Sequence, residues 1–434
     1  MLNLAKYQSL LAESSPIRVS GKVTEVIGLI VEVSGLTASI GEICQIVVPG
    51  RGLTAAEVVG FRQNRTLLMP LGTLDGVAPG CEVRATGRTH LVKVGSGILG
   101  RVVDGLGLPF EGEKHNYSGH WMPVTNAPPN PLKRKRISEV LVTGVKAIDA
   151  LLTCGEGQRL GIFAGSGVGK STLLGMIARH SSADVNVIGL IGERGREVLE
   201  FLEKDLGPEG LARSVVVAAT SDQPALVRIK GAFVATAIAE YFRDRGQKVM
   251  LMMDSVTRFA MAQREVGLAI GEPPATKGYT PSVFALLPKL LERSGNAETG
   301  SITALYTVLV DADDMNEPIA DAVRGILDGH IVLSRELASR NHYPAIDIAH
   351  SVSRLMPEIT GGKQQELAAR LRETMSAYQR VEDLINIGAY QKGSNPEVDQ
   401  AIKLYPAINR FLRQETNEHF AYEDTLHQLE QLFQ

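Results

Sequence analysis

Residues 163–174 read FAGSGVGKSTLL, a glycine-rich turn that ends in a lysine and a hydroxyl and lies between an apolar run and a helical pattern. The glycines allow the backbone to curl so that its N–H groups point at phosphate oxygens. Lys170 would bring a positive charge to the β- and γ-phosphates, and Ser171 would offer its hydroxyl to Mg²⁺. The pattern GxxxxGK[ST] starts with glycine, whereas Ala164 stands at that position here, which is a mild change. The predicted phosphate-binding residues are Gly165, Ser166, Gly167, Val168, Gly169, Lys170, Ser171 and Thr172.

A carboxylate on the metal side of such a site should end a neighbouring hydrophobic strand. The run KVMLMMDS places Asp254 directly after five apolar residues, where it has no reason to be a core residue. Many related ATPases carry the catalytic glutamate immediately after this aspartate, and the residue here is Ser255. We therefore predict that Asp254 serves the metal and that the general base comes from elsewhere.

The stretch VIGLIGERGRE (187–197) offers this base. Its strand is the next one after the helix of the glycine-rich turn, so its carboxyl end should open into the same crevice. Glu193 at that end would orient and deprotonate the attacking water. Arg194 and Arg196 would stabilise charge on the transferred phosphoryl group, and Glu197 would lie in the outer shell of the metal. The alternative is a surface run of mixed charges, and the place of Glu193 at a strand end favours the catalytic interpretation.

Two further candidates lie in NHYPAIDIAHSVSRLMP (341–357). Arg354 comes well after the core strands, too far along the chain to serve its own phosphates, and it fits an arginine finger supplied to a neighbouring subunit. Tyr343 offers a flat face for an adenine. Spacing alone leaves both assignments open.

The flanking sequence predicts the elements that position these residues. From Ile17 to about residue 86, short β-branched runs broken by glycine predict a small all-β domain, which we expect to be a barrel. Residues 159–334 alternate apolar runs with helical stretches, which predicts a parallel sheet covered on both faces. Beyond about residue 360 the pattern is helical, with Pro406 suited to a first helical turn. The first 15 residues fit either a short amphipathic helix that docks a partner or a frayed terminus.

Two motifs invite other interpretations. GSGILG (95–100) matches the dinucleotide fingerprint GxGxxG, but β-branched residues and glycines follow it where a helix would be needed, so a loop is expected. NAPPNPLKRKRI (126–137) carries four consecutive basic residues, which could contact nucleic acid. Since no aromatic residues are interleaved among them, a solvated linker is the preferred interpretation.

Composition excludes several classes of protein. The 434 residues carry a formal net charge of −3, so no overall basic field would recruit nucleic acid or acidic lipid. Three cysteines far apart argue for a reducing compartment and against a disulfide scaffold, and the nine histidines form no metal-binding motif. The first residues do not resemble a signal peptide, and no apolar stretch approaches the roughly 20 residues that span a bilayer. A cytoplasmic protein is expected.

Taken together, these motifs resemble the catalytic subunits of rotary ATPases and, more closely, the ATPases of type III protein export, with the flagellum-specific ATPase as the nearest likeness. The resemblance rests on AGSGVGKS, IGERGRE, MMDSVTRFAMAQREVG, PAIDIAHSVS and SVSRLMP, among other stretches, and it covers nearly the whole chain. It implies an α/β, RecA-like P-loop core with an N-terminal β-barrel and a C-terminal helical domain. The implied segments are an N-terminal helix at 1–16, the barrel at 17–90, the ATPase core at 91–345 and the helical domain at 346–434.

The resemblance also assigns roles to individual residues. It makes Glu193 the catalytic carboxylate, places Lys170 and Ser171 on phosphate and Mg²⁺, and puts Asp254 in the water shell of the metal. Contacts to the γ-phosphate are implied for Arg194 and Arg258, the finger for Arg354, and stacking on the two sides of adenine for Tyr343 and, more weakly, Tyr390.

Family likeness further implies ATP hydrolysis by a homohexameric ring that drives flagellar protein export. Implied partners are a stator-like regulator at the N-terminal helix, a central coiled-coil stalk protein, and the export chaperones, cargo and membrane export gate. The ring would lie in the cytoplasm at the inner face of the membrane and bind no nucleic acid. The alternatives are a virulence-type secretion ATPase, a rotary ATP synthase catalytic subunit and, less favoured, a Rho-like RNA translocase.

Overall fold

A computed structural model describes residues 20–110, 117–310 and 314–434 of the chain. The predicted N-terminal helix at 1–16 lies outside these described residues. Among the helices that are described, none combines the length and the apolar composition needed to cross a membrane.

The first described residues form a closed antiparallel barrel, as the short β-branched runs predict. Its strands are β1 (Ser20–Ile27), β2 (Ile30–Ser34), β3 (Glu42–Val48), β4 (Gly52–Arg62), β5 (Arg65–Pro70) and β6 (Glu82–Thr89). They follow one another around the barrel in the order β1-β2-β5-β4-β3-β6. Apolar side chains such as Val31, Ile46 and Val58 fill the interior, because alternate residues of a strand face the same side.

The centre of the molecule is a larger, mostly parallel sheet. The remaining strands are β7 (Leu91–Val94), β8 (Val102–Asp104), β9 (His120–Pro123), β10 (Val140–Leu141), β11 (Cys154–Gly155), β12 (Arg159–Ala164), β13 (Val185–Ile191), β14 (Ser214–Ala219), β15 (Lys248–Asp254), β16 (Gly295–Asn296), β17 (Ser301–Leu309), β18 (Gly329–Leu333) and β19 (Ile346–Ser353). The order across the sheet is β19-β18-β12-β17-β15-β13-β14-β8. The parallel sheet predicted for residues 159–334 is confirmed, because β12, β13, β14, β15, β17 and β18 pair in parallel. The sequence pattern missed β8, which extends the sheet beside β14, and β19, which pairs antiparallel with β18.

Helices cover both faces of this sheet and form the C-terminal region. They are α1 (Lys146–Leu151), α2 (Lys170–His180), α3 (Gly195–Glu200), α4 (Gly207–Ala212), α5 (Ala225–Arg243), α6 (Val256–Ile270), α7 (Pro281–Leu291), α8 (Pro318–Ile326), α9 (Arg335–Ser339), α10 (Met356–Ile359), α11 (Gly362–Gln379), α12 (Glu382–Asn386), α13 (Pro396–Leu412) and α14 (Tyr422–Gln431). Helices α5 to α8 contribute to the apolar core on one face, and α1, α2, α11 and α13 to the core on the other. The helical C-terminal region and the α/β core are therefore as predicted.

Several local expectations change. Pro406 lies inside α13 and not in a first turn, because Asn395 caps this helix and Pro396 takes its first position. The predicted boundary at 345/346 would cut β19 from the sheet to which its hydrogen bonds attach it, so the core extends to Ser353. The GSGILG stretch forms a short 3₁₀ turn, Ser96–Ile98, and leads into β8.

In the basic stretch at 133–136, Arg134 is partly buried, whereas Lys133, Lys135 and Arg136 are exposed. Arg134 Nη1 donates a hydrogen bond of 2.6 Å to the carbonyl of Ser294, and Lys133 lies 2.8 Å from a carboxylate oxygen of Glu298.

Candidate active site

The glycine-rich turn leaves the carboxyl end of β12 and enters α2, whose first residue is Lys170. Gly167 and Gly169 have φ angles of 80° and 88°, a left-handed conformation that glycine adopts without strain. A Cβ atom on Gly165 would lie 2.5 Å from Arg335 Nε, so this glycine permits a close approach. A loop of this form, followed by a helix N-terminus, presents backbone N–H groups to phosphate.

Two carboxylates meet the amino group of Lys170. Its Nζ lies 3.6 Å from Glu193 Oε1 and is hydrogen-bonded to Asp254 Oδ1. Asp254 ends β15, and Glu193 follows β13 after one glycine. The three side chains are largely buried, with exposed fractions of 12% for Lys170, 13% for Glu193 and 4% for Asp254. Because parallel strands end at the same edge of a sheet, three distant parts of the sequence form one polar site.

Thr307 is a member of this site that the sequence analysis missed. Its hydroxyl donates a hydrogen bond of 2.8 Å to Asp254 Oδ1 from the neighbouring strand β17. The run SITALYTVL carries other hydroxyl side chains as well, at Ser301, Thr303 and Tyr306, and threonine is common in strands, so nothing in the local sequence singles out Thr307. The hydroxyl fixes the orientation of the carboxylate that meets Lys170.

The electrostatics of the site favour a base at Glu193. Burial and the negative charge of Asp254 together raise the pKa of Glu193 from 4.5 to about 7, although Lys170 opposes this rise. The hydrogen bond between Glu193 and Glu197 lowers the pKa of Glu197, which lies on the first turn of α3. Burial would lower the pKa of Lys170, but the charges of Asp254 and Glu193 outweigh it and raise that pKa, so the lysine stays protonated. A proton is therefore easily exchanged at Glu193 near neutral pH.

The candidate arginines differ in how they are placed. Arg258, on the first turn of α6, packs beside Gly192, and its buried Nε has no hydrogen-bond partner among the described residues. Arg194 is 76% exposed and lies 3.1 Å from a carboxylate oxygen of Glu197. Arg196 is still more exposed, and its Nε lies 3.8 Å from a carboxylate oxygen of Glu200. Among these three arginines, Arg258 is thus the one that has an unused donor and lies beside Gly192, the residue before Glu193.

Arg354 lies at the end of the sheet where the parallel strands begin, whereas the glycine-rich turn lies where they end. It follows β19, whose last residue, Ser353, pairs with Gly329 at the beginning of β18. The beginning of β18 lies beside the beginning of β12, whereas the turn follows the end of β12. With about 3.3 Å per residue, the six residues of β12 place Arg354 well over 15 Å from the phosphate loop of its own chain. The side chain is exposed.

Tyr343 lies at the same end of the molecule as the phosphate loop. A Cβ atom on Gly169 would be 3.4 Å from two atoms of the Tyr343 ring. The ring lines a pocket of about 430 Å³ next to the N-terminal turns of α2. Its other walls are Thr172, Leu173, Met176, Asn341, Pro344, Arg413, Gln414, Glu415 and Thr416. Residues 413–416, which follow α13, were not anticipated, because their sequence gives no sign that they return to the core.

Tyr390 does not join this pocket. Its hydroxyl donates hydrogen bonds to Asn395 and Asp399, at the beginning of α13. The pocket is lined by residues that follow the other end of this helix, and seventeen residues of α-helix span roughly 25 Å. The prediction that Tyr390 covers the other side of the base is therefore wrong for contacts within one protomer.

The residues present fit a magnesium ion that arrives with the nucleotide. In the described parts of the chain, no group of three or more His, Cys, Asp or Glu side chains could hold a metal by itself. Ser171, Asp254 and Glu197 offer a hydroxyl and carboxylates, the oxygen ligands that Mg²⁺ takes together with water and substrate phosphates. The site is thus suited to a nucleotide-borne ion.

Three family models match the chain in the order of its domains. The ATP synthase alpha/beta family, beta-barrel domain, matches residues 23–87, and the nucleotide-binding domain of the same family matches residues 144–353. The T3SS EscN ATPase C-terminal domain matches residues 360–431. The flagellum-specific ATP synthase of Bacillus subtilis is 58% identical over 408 residues, which cover 94% of this chain and 93% of that protein. This chain belongs to the flagellum-specific and type III secretion ATPases.

Other relatives agree with this assignment. The type 3 secretion system ATPase of Xanthomonas euvesicatoria is 54% identical over 94% of this chain and 92% of its own length. The assembled ATPase EscN from the type III secretion system of enteropathogenic E. coli matches with a TM-score of 0.89 and 48% identity, over 95% of this chain and 99% of that one. The fold of barrel, nucleotide-binding core and helical C-terminal domain is therefore confirmed, and the chain is an ATPase.

Proposed function

We propose that this ATPase hydrolyses ATP to ADP and phosphate to drive the export of flagellar proteins through a type III secretion apparatus. The observation that carries the chemistry is the meeting of Lys170, Glu193 and Asp254 at the carboxyl edge of the sheet. The likeness of this chain to flagellum-specific ATP synthases supports the flagellar assignment.

In the proposed reaction, the glycine-rich turn and Lys170 hold the β- and γ-phosphates, and Tyr343 stacks on the adenine. Glu193 orients the attacking water and accepts its proton, for which a pKa of about 7 is well matched. Arg258, with its unpaired Nε, and Arg194 stabilise charge on the γ-phosphoryl group. Mg²⁺ held through Ser171, Asp254 and Glu197 would neutralise phosphate charge.

We infer that six copies of the chain form a ring in which Arg354 of one protomer completes the site of the next. Arg354 and the phosphate loop of its own chain lie at opposite ends of the parallel strands. This separation supports the arrangement, because Arg354 cannot reach the nucleotide that its own phosphate loop binds. A contact that joins two different surfaces of the chain is head-to-tail, and such contacts generate a closed ring when the rotation between neighbouring copies closes. The structure of EscN as an assembled ATPase supports the association of several copies.

The remaining partners follow from the family. A structure of EscN in complex with its central stalk EscO supports a central coiled-coil stalk protein for this ATPase as well. We propose that the N-terminal helix binds a stator-like regulator, and that the C-terminal domain meets export chaperones, cargo and the membrane export gate. The ring would lie in the cytoplasm, held at the inner face of the membrane by the export apparatus. The boundaries at 16/17 and 90/91 stay predictions.

A virulence-type secretion system is the second candidate, because a type 3 secretion system ATPase is 54% identical to this chain, as is one of the flagellar relatives. Both candidates require the same chemistry, so the cargo must separate them.

The test replaces the chromosomal gene by the Glu193→Gln form and measures proteins secreted into the medium. We expect secreted hook protein and flagellin to fall by at least tenfold at unchanged cellular levels, since general bases contribute roughly 10²–10⁴-fold to such reactions. An exposed-site variant, Glu200→Gln, controls for expression. If flagellar secretion is unchanged and effector secretion falls, the virulence-type system is the correct assignment. If neither falls, Glu193 is not the base that drives export.

A further inference from the structure

Arg354 is anchored through the link between α8 and β18. Its backbone N–H donates a hydrogen bond of 3.1 Å to the carbonyl of Asp328, and its Nη1 donates one of 3.3 Å to the carbonyl of Leu327. Both acceptors belong to the two residues that precede β18. The position of the Arg354 side chain therefore depends on how firmly this link is held.

The link is held by Arg159, the first residue of β12. Asp328 Oδ2 accepts hydrogen bonds of 3.1 Å from both the backbone N–H and the Nε of Arg159, and Oδ1 accepts one of 3.2 Å from Nη2. The backbone N–H of Asp328 in turn donates to the Arg159 carbonyl at 2.9 Å. With a further carboxylate, Glu292, 2.6 Å from Nη1, the guanidinium has little freedom to move. A two-pronged pair of this kind fixes geometry as well as charge.

The residue before Arg159 holds the same region from the other side. Gln158 is fully buried, and its Nε2 donates to the carbonyl of Asp328 at 3.3 Å and to Ser353 Oγ at 3.0 Å. Gln158, just before β12, and Arg159, its first residue, thus fix both segments that flank Arg354. The same strand ends in the phosphate loop, so it joins the nucleotide site of its own protomer to the finger that serves the next one.

We propose that Asp328, held by Arg159, is a positioning residue that sets the place of Arg354 for hydrolysis in the adjacent protomer. The inference rests on the proposed function, in which Arg354 acts across the interface. Asp328 lies beside the beginning of β12, away from the phosphate loop, and its carbonyl accepts the hydrogen bond of the Arg354 backbone, which is the contact through which it would act. Its loss lowers the turnover of the neighbouring site and leaves ATP binding by its own chain intact.

The first measurement compares the steady-state kinetics of the full-length Asp328→Asn variant with wild type. We expect kcat to fall roughly 10- to 100-fold, the cost of misplacing a catalytic group by about 1 Å, with the KM for ATP changed by less than about twofold. Asp244→Asn is the matched control, because it removes an exposed carboxylate that pairs with an arginine, Arg243, elsewhere on the chain. Arg159→Lys keeps the positive charge but loses the two-pronged hydrogen bonding to Asp328, so it should give a smaller fall in kcat. This variant provides the test if Asp328→Asn does not fold. A rise in KM without loss of kcat would overturn the proposal.

The second measurement asks in which protomer Asp328 acts. Two differently tagged chains are co-expressed, and mixed rings are isolated by both tags. Asp328→Asn with Lys170→Ala should recover turnover, because the Lys170→Ala chain supplies an intact finger to an intact phosphate loop. If the two chains mix at random in equal amounts, about a quarter of the interfaces are of that type on average. Adding Asp328→Asn to the Lys170→Ala chain should abolish this recovery.

A reference ring of Arg354→Ala with Lys170→Ala separates the two ways of failing. If the reference recovers and the Asp328→Asn ring does not, Asp328 does not act through the finger, and only this inference is overturned. If the reference also stays inactive, Arg354 does not act between protomers, and the proposed ring mechanism fails with it.

Discussion

Glu193→Gln is expected to make the nucleotide-free ATPase more stable at pH 8 while removing most of its turnover. The native side chain is largely buried beside Asp254, and this environment raises its pKa from 4.5 to about 7. At pH 8 the folded protein must therefore carry a carboxylate where a neutral group would be preferred. Glutamine has nearly the same shape and is neutral at every pH, so the substitution removes the electrostatic cost together with the base.

The size of the effect follows from the difference between the two pKa values, which corresponds to roughly 3 kcal/mol of free energy of unfolding. Between pH 4.5 and 7 the folded protein keeps a proton at Glu193 that the unfolded chain has released. Stability therefore falls as the pH rises through this window, and the whole loss is present above pH 7. The gain from Glu193→Gln should be close to 3 kcal/mol at pH 8 and should vanish near pH 4.5.

Calorimetry of the nucleotide-free protein at pH 8 and pH 5 measures this difference. A gain of that size raises Tm by roughly 3 to 7 °C at pH 8, the smaller value if the whole chain unfolds as one unit and the larger if the core unfolds alone. Glu200→Gln, which removes an exposed carboxylate from α3, is the control and should move Tm little at either pH. Equal Tm values for Glu193→Gln and wild type at pH 8, or the same gain at both pH values, would refute the electrostatic account.

Two more predictions concern catalysis. The kcat/KM for ATP should fall below about pH 7, to roughly a tenth of its high-pH value at pH 6, because Glu193 must be ionised to accept a proton. The residual activity of Glu193→Gln should not show this fall of kcat/KM below pH 7. A wild-type kcat/KM that is constant from pH 6 to 8 would exclude Glu193 as the base. Tyr343→Ala should raise the KM for ATP roughly tenfold, as expected for losing 1–3 kcal/mol of stacking on a base, whereas Tyr343→Phe keeps the ring and should stay near wild type. Equal effects of the two substitutions would show that the ring does not stack on adenine.

Much of the site was predictable because its residues belong to short sequence motifs, and because the carboxyl ends of parallel strands lie together in a sheet. The glycine-rich turn identifies itself, and Asp254 stands out as a charge that ends an apolar run. Once the runs are recognised as parallel strands, their carboxyl ends must share an edge, which brings Glu193 to Lys170 without any knowledge of distances. The structure adds the proximity of Lys170 to both carboxylates and, with it, the perturbed pKa of Glu193.

What the sequence could not supply depends on packing between distant segments. Thr307 looks like any strand threonine until β17 is known to lie beside β15. Residues 413–416 reach the pocket because α13 carries the chain back to α2, and no local pattern encodes that return. Tyr390 was assigned by resemblance alone, and hydrogen bonds at the far end of the same helix hold it elsewhere.

The direction of β19 explains why a finger at Arg354 requires a neighbour. Had β19 run parallel to β18, its end would lie at the edge of the phosphate loop, and Arg354 could reach its own nucleotide. Because the pair is antiparallel, the beginning of β19 brings Tyr343 to the phosphate loop and its end carries Arg354 to the opposite edge. The residues that flank β19 thus place Tyr343 at the adenine site of their own protomer and Arg354 where it can contact the next protomer. An assembly in which both residues act must therefore repeat head to tail.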